Sequence, residues 1–155
     1  MTDAAWRIVI EAHGGPEVLV RQDIDPGEPG PDQIVVKNEA IGLNYIDTYF
    51  RTGLYPADLP MTPGFEAAGT VIAAGSSVRD FAIGDRVASG TARGSYCTHW
   101  RAPAAQFVRL PDDIGFEEAA AMMLKGMTAC FLAEDVKPLQ PGQSALVHAA
   151  AGGVG

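Results

Sequence analysis

Ser144-Ala145-Leu146-Val147-His148-Ala149, running directly into Ala150-Ala151-Gly152-Gly153-Val154-Gly155, is the stretch from which the architecture of this sequence can be inferred. Its first half is strongly apolar and suits a strand buried on both faces of a parallel sheet. A strand of that kind entering a turn of small residues opens a βαβ unit, whose helix and second strand need about twenty-five further residues. The sequence is therefore expected to be the first portion of a longer chain, stopping just inside an α/β domain. The spacing Ala150-x-Gly152-x-x-Gly155 matches a dinucleotide-binding turn except that alanine stands for the first glycine. Small residues there let the backbone approach a pyrophosphate, and the following helix offers its positive dipole end. A plain Ala/Gly-rich loop is the competing reading.

Upstream, Asp112-Asp113 and Phe116-Glu117-Glu118 lead into Ala119–Ala133, where apolar residues recur at helical spacing until Pro138 stops the pattern. Two short helices are expected there. Before Pro111 the character is β: the 18 glycines and 11 prolines of the 155 residues cut the chain into short alternating segments. Strands are expected at Trp6–Ile10 and Val18–Arg21, forming a hairpin around Gly14-Gly15-Pro16, then at Ile34–Lys37 after the loop Pro26–Pro31. Further strands are expected at Ala67–Ala73, Arg86–Ala88, Ser95–Trp100 and Gln106–Leu110. Asn44 can cap a short helix over Tyr45–Arg51 that Gly53 ends in the left-handed conformation. Gly84-Asp85-Arg86-Val87 reads as a tight turn entering a strand.

Composition removes several function classes. With 47% hydrophobic and 19% charged residues the chain is globular, and its net charge of −8 with scattered Lys and Arg offers no cationic stripe for nucleic acid. The longest wholly apolar run, Ala119–Leu124, is far short of the ~20 residues that span a bilayer, and no basic-then-apolar leader opens the sequence. No membrane partner is expected. Cys97 and Cys130 lack CxxC spacing, so the expectation is a reduced, cytoplasmic chain. Met122, Met123 and Met127 read as helix core, and His13, His99 and His148 are too scattered to form a metal site.

Five ordered motifs carry a resemblance. They are Ala40-Ile41-Gly42-Leu43-Asn44-Tyr45-Ile46-Asp47 with Arg51-Thr52-Gly53-Leu54-Tyr55-Pro56, then Pro63-Gly64-Phe65-Glu66-Ala67-Ala68-Gly69, Gly84-Asp85-Arg86-Val87, Leu124-Lys125-Gly126-Met127-Thr128-Ala129 and the terminal glycine turn. In this order they resemble the quinone oxidoreductase (zeta-crystallin) branch of the zinc-independent medium-chain dehydrogenase/reductase superfamily, over essentially the whole sequence. The resemblance implies a mainly β fold with a few helices: a GroES-like, partly open β-barrel catalytic domain over 1–124, then a linking helix, first strand and glycine turn of a truncated Rossmann α/β domain over 125–155. It implies NADPH as cofactor, with NADH left open, a small quinone or enone as acceptor, and a homodimer formed through regions outside this sequence. Enoyl and alkenal reductases share the outline, and a non-catalytic, crystallin-like binding or structural module is the alternative of another class.

The resemblance also implies site residues. Zinc-dependent members of the superfamily hold their catalytic metal through Cys, His and Cys at places that here read Asn44, Phe65 and Lys125. A carboxamide, a phenyl ring and an ammonium do not make a tetrahedral N/S site, and Ser89–Trp100 holds only Cys97 where relatives carry a four-cysteine loop. Neither zinc is expected. Without a Lewis acid to hold an alkoxide, hydride transfer from reduced nicotinamide to an electron-poor acceptor is the natural chemistry. Asn44, Tyr49 and Tyr55 are implied to line the nicotinamide and acceptor pocket, with the Tyr55 phenol and Asn44 amide polarising the acceptor oxygen. Lys125, Thr128, Gly152, Gly153 and Gly155, with Asn44, are implied cofactor contacts. Each has a bland alternative: Asn44 as helix cap, the tyrosines as barrel cover, Lys125 as a snorkelling surface lysine, Thr128 as bonded back to its own helix. Asp47 and Glu66 read as architectural, Glu66 accepting backbone or Arg hydrogen bonds in a tight turn. Apolar surface is expected around Ala119–Val136 and along Ala145–Ala149.

Overall fold

The computed structural model describes residues 4–155. Seven strands and two α-helices follow one another as β1 (Trp6–Val9), β2 (Val20–Asp23), β3 (Gln33–Ile41), α1 (Tyr45–Thr52), β4 (Ala67–Ala74), β5 (Arg86–Ser89), β6 (His99–Pro103), β7 (Val108–Arg109) and α2 (Phe116–Cys130). Antiparallel β1 and β2 form the expected hairpin, and the other strands make a five-stranded sheet in the order β6-β3-β4-β5-β7. The sheets touch without merging. Ile8 N donates to Tyr96 O at 2.8 Å, and isolated bridges join Arg7 to Cys97 and Ile10 to Met61. The result is a partly open barrel with no continuous ladder around it.

Small residues set the spacing. A Cβ on Gly69 would stand 2.1 Å from Lys37 O, so only glycine lets β4 approach β3 there, beside the register shift at Asn38/Ala40. One face of the sheet buries Ile34, Val36, Val71, Val87, Trp100 and Phe107, with the Trp100 and Phe107 rings edge to face at 5.0 Å. Each aliphatic side chain so buried contributes about 1.5–3 kcal/mol. A second cluster, Ala68, Ala88, Leu110, Ala119 and Ala120, seats α2 across β4 and β5. Gly90 makes that approach close, since its Cβ would meet Leu124 N at 2.8 Å.

Several expectations need correction. The pattern over Ala119–Ala133 forms one helix, α2, which runs on through a π-helical turn over Phe131–Val136 and not as two short helices. Met122 and Met127 are 65% and 40% exposed, so only Met123 of the methionine stripe packs on the core. Phe131, Leu132 and Val136, in the π-helical turn after α2, also lie exposed as anticipated. The strand expected at Ser144–Ala149 does not form: residues 137–155 hold neither helix nor strand, and Leu146 is 84% exposed. No strand of the five-stranded sheet offers it a ladder, and unpaired backbone gains nothing by extending. The strand expected from Ser95 begins instead at His99, because Gly94 and Ser95 are committed to a turn in which both N–H groups donate to Gly64 O. Asp85 behaves as expected, accepting from Ala82 N at 2.7 Å in the turn before β5.

Candidate functional site

The end of β3, the start of α1, the Pro63-Gly64-Phe65-Glu66 turn and the middle of α2 meet at one carboxylate. Glu66 is 0% exposed. Its Oε2 accepts from Asn44 Nδ2 at 2.7 Å and from Lys125 Nζ at 3.0 Å, and its Oε1 accepts from Leu124 N at 2.7 Å. Gly42 makes room for it: a Cβ at that position would lie 2.2 Å from Ala120 O and 2.4 Å from Glu66 Oε2. The expected backbone hydrogen bond to Glu66 is present, while a lysine and an asparagine take the place assigned to arginine.

Asn44 does occupy the N-cap of α1, yet its side chain does not cap; the amide turns to Glu66, and its backbone N–H donates to Asp47 Oδ2 at 3.0 Å. Asp47 is buried and also accepts from Tyr96 Oη at 2.9 Å, with its Oδ1 left without a partner. Burial pushes its carboxyl above the usual range, against the pull of Asn44 N–H and Tyr96 OH, and the nearby Glu66 adds to the rise. Burial and the Asp47 carboxylate likewise push the Tyr96 phenol well above its ordinary value.

Lys125 is three-quarters buried, with its methylenes against the glycine turn; a Cβ on Gly153 would stand 3.1 Å from Lys125 Cδ. Gly152 N donates to Ala149 O at 2.7 Å, and Gly155 is packed so closely on Ala149 and Ala150 that a Cβ would meet them at 2.6 Å. Thr128 Oγ1 donates to Leu124 O at 2.8 Å, bonded back to its own helix while keeping lone pairs free to accept. Tyr49 and Tyr55 come together, ring centroids 5.1 Å apart, in an aromatic row that includes Phe50 and Phe65, the residue next to Glu66. Phe65 thus stacks with Phe50 at 5.4 Å, whereas Asn44 and Lys125 both turn to Glu66.

Two clefts flank residues 41–43. One of about 310 Å³ is lined by Ala40, Leu43, Glu117, Ala121 and Lys125 among others, and an apolar one of about 270 Å³ by Trp6, Ile8 and Tyr96. A larger cleft of about 450 Å³, holding Arg7, Arg93 and Arg101, shares no residue with the hub. Among the described residues no cluster of three or more His, Cys, Asp or Glu side chains is placed to hold a metal ion.

Residues 30–112 match the model of the alcohol dehydrogenase GroES-like domain. The chain belongs to that family. Around the GroES-like domain the similarity extends further: the chain is 52% identical over 153 residues to a quinone oxidoreductase of Pseudomonas aeruginosa, covering 97% of this chain and 47% of the relative. The crystal structure of a Pseudomonas syringae quinone oxidoreductase superposes with a TM-score of 0.94 at 51% identity, covering 97% of this chain and 47% of that one. An Escherichia coli quinone oxidoreductase complexed with NADPH gives 0.86 at 43% identity, covering 88% and 42%. The chain thus spans about half the length of these relatives, and the resemblance read from its motifs to the quinone oxidoreductase branch holds.

Glu66 is the junction whose partners sequence reasoning did not find: read as an acceptor of backbone or Arg hydrogen bonds, it also joins Asn44 and Lys125. Its neighbours lie 22, 58 and 59 residues away, a convergence that spacing alone does not reveal. The Asp47–Tyr96 contact, 49 residues apart, was missed for the same reason. The available signal was a glutamate flanked by Phe65 and Ala67, since a charge amid apolar residues demands a partner.

Proposed function

We propose that this chain is the catalytic portion of a zinc-independent, NADPH-dependent oxidoreductase that reduces a quinone or an α,β-unsaturated carbonyl in the cytoplasm. The observation that carries this reading is the junction at Lys125, which is bonded to Glu66 beside Asn44 on one side and packed against Gly153 of the glycine turn on the other. NADPH suits the residues present: Gly152, Gly153 and Gly155 leave Val154 as the one side chain of the turn, so the backbone is open to a pyrophosphate, the Lys125 stem reaches Gly153, and Thr128 keeps acceptor capacity for a carboxamide. When bound, that group supplies the hydride.

The chain's own residues then have separable tasks. Lys125 neutralises negative charge at the glycine turn. Asn44 and the Tyr55 phenol donate hydrogen bonds to the acceptor oxygen, lowering the cost of the charge that develops there. Tyr49 and the aromatic row around it offer flat apolar faces for a planar acceptor and keep water from it. The donor set does not suit zinc, because an amide, a phenyl ring and an ammonium already bonded to Glu66 stand at the three places where zinc-dependent members carry Cys, His and Cys.

The test is oxidation of NADPH by the full-length gene product with benzoquinone, menadione and a simple enone, before and after exhaustive chelation. Turnover that survives chelation and drops at least about tenfold in Lys125→Met supports the reading. Turnover that vanishes with the metal, or no turnover with any of the acceptors, defeats it; NADPH binding without turnover would favour the non-catalytic module.

A further inference from the structure

We infer that Glu66 is a positioning residue that fixes the orientation of the Asn44 carboxamide, so that one defined edge of that amide faces the acceptor. This rests on the reading above, in which Asn44 meets the acceptor. An ionised carboxylate can only accept hydrogen bonds, whereas the two ends of a carboxamide differ, one donating and the other accepting. With Glu66 Oε2 at 2.7 Å, Asn44 must turn its NH2 to the carboxylate. The flipped amide would set two acceptor oxygens against each other at that distance and lose a charge-assisted bond. Oδ1 and the second N–H are what remain for a ligand.

The rest of the hub keeps this lock rigid. Asp47 Oδ2 holds the Asn44 backbone at 3.0 Å, so both ends of the residue are tied to carboxylates. Glu66 is itself held by Leu124 N at 2.7 Å and by Lys125 Nζ at 3.0 Å, which fix its plane and balance its charge. A purely architectural role would be met more cheaply. Burying a carboxylate at 0% exposure costs several kcal/mol before its bonds are counted, and apolar side chains of similar size at 66 and 125 together would join the turn before β4 to α2 without that cost. What only the carboxylate provides is an acceptor that cannot become a donor.

The substitution that removes this property with little change of shape is Glu66→Gln, whose own amide can face Asn44 with either end. Steady-state kinetics of the full-length gene product would be measured for the parent, Glu66→Gln, Asn44→Ala and the double variant. The expected result is a fall in kcat of about tenfold or more for Glu66→Gln in the parent, but under about threefold in the Asn44→Ala background, because the lock then has nothing to hold. Additive losses, or parental kcat in Glu66→Gln with Asn44→Ala impaired, overturn this inference and leave the proposed function standing. Parental kcat in Asn44→Ala overturns both. Should Glu66→Gln fail to fold, the unaltered protein with isotope-labelled asparagine supplies the answer. One Asn44 side-chain proton shifted downfield and protected from exchange supports the lock, and two protons at the shifts and exchange rates of an exposed asparagine refute it.

Discussion

Replacing Gly42 with alanine tests whether the hub is a close-packed unit. The added Cβ would sit 2.2 Å from Ala120 O, against an ordinary carbon–oxygen approach of about 3.3 Å, and 2.4 Å from Glu66 Oε2. The obstacle is a helix backbone, so relief requires α2 to retreat by about 1 Å. That movement would stretch the Leu124 N to Glu66 bond from 2.7 Å to beyond hydrogen-bonding range and loosen the Lys125 contact. Overpacking costs about 1–3 kcal/mol and loss of a hydrogen bond to a buried charge about 1.5–3 more, a total of about 2.5–6 kcal/mol. For a chain of this length, thermal unfolding followed by circular dichroism should show Tm lowered by at least about 5 °C. Gly126→Ala is the matched control: it lies inside α2 with nothing within 4 Å of its added carbon, and should raise stability by about 0.5–1 kcal/mol. A Gly42→Ala chain melting within about 2 °C of the parent would refute the packing argument.

The two thiols should behave differently: burial pushes Cys97 from an ordinary 9.0 up to about 12, so a disulfide reagent at about pH 8 should titrate Cys130 alone in the native chain and both in urea. Because the unfolded chain gives up that Cys97 proton from about pH 9 while the folded chain keeps it, stability should fall as pH rises toward about 12, and Cys97→Ser should flatten the decline. Asp47 titrates in the same sense at the acid end. Its raised carboxyl means the folded chain holds a proton the unfolded chain has lost, so its contribution is complete below 3.8 and disappears as pH climbs through the folded value. Urea midpoints of the parent relative to Asp47→Asn should therefore drop as pH is raised from about 4, and a relative rise would contradict the assigned burial effect. Deleting residues 138–155, all exposed, removes the contact of Gly153 with the Lys125 stem and should lower the stability of the remainder by no more than about 1 kcal/mol; a larger loss would mean that more of this stretch packs on the fold.

The local features of the fold were legible where local chemistry decides them. Gly53 ends α1 with φ of 79°, Asp85 makes the turn before β5, and the alternation of β1, β3 and β4 placed those strands within a few residues. The strand expected at Ser144–Ala149 failed for a non-local reason: apolar content favours burial, but a ladder also needs a neighbouring strand, and none of the described strands pairs with it. The methionine stripe failed alike, since helical spacing shows that Met122, Met123 and Met127 form a pattern but not whether any surface meets it. At the candidate site the motifs located Asn44 and Lys125, while the acid joining them was visible only after folding brought residues 44, 66 and 125 together.

The contact of Gly153 with the Lys125 stem makes these two positions a matched pair. A side chain at 153 obliges the Lys125 stem to shift by a few tenths of an ångström, whereas a chain with a short residue at 125 has room there. Substitutions at the two positions should therefore be tolerated in combination more readily than singly, and a library randomised at both should return a strong correlation in side-chain volume between survivors.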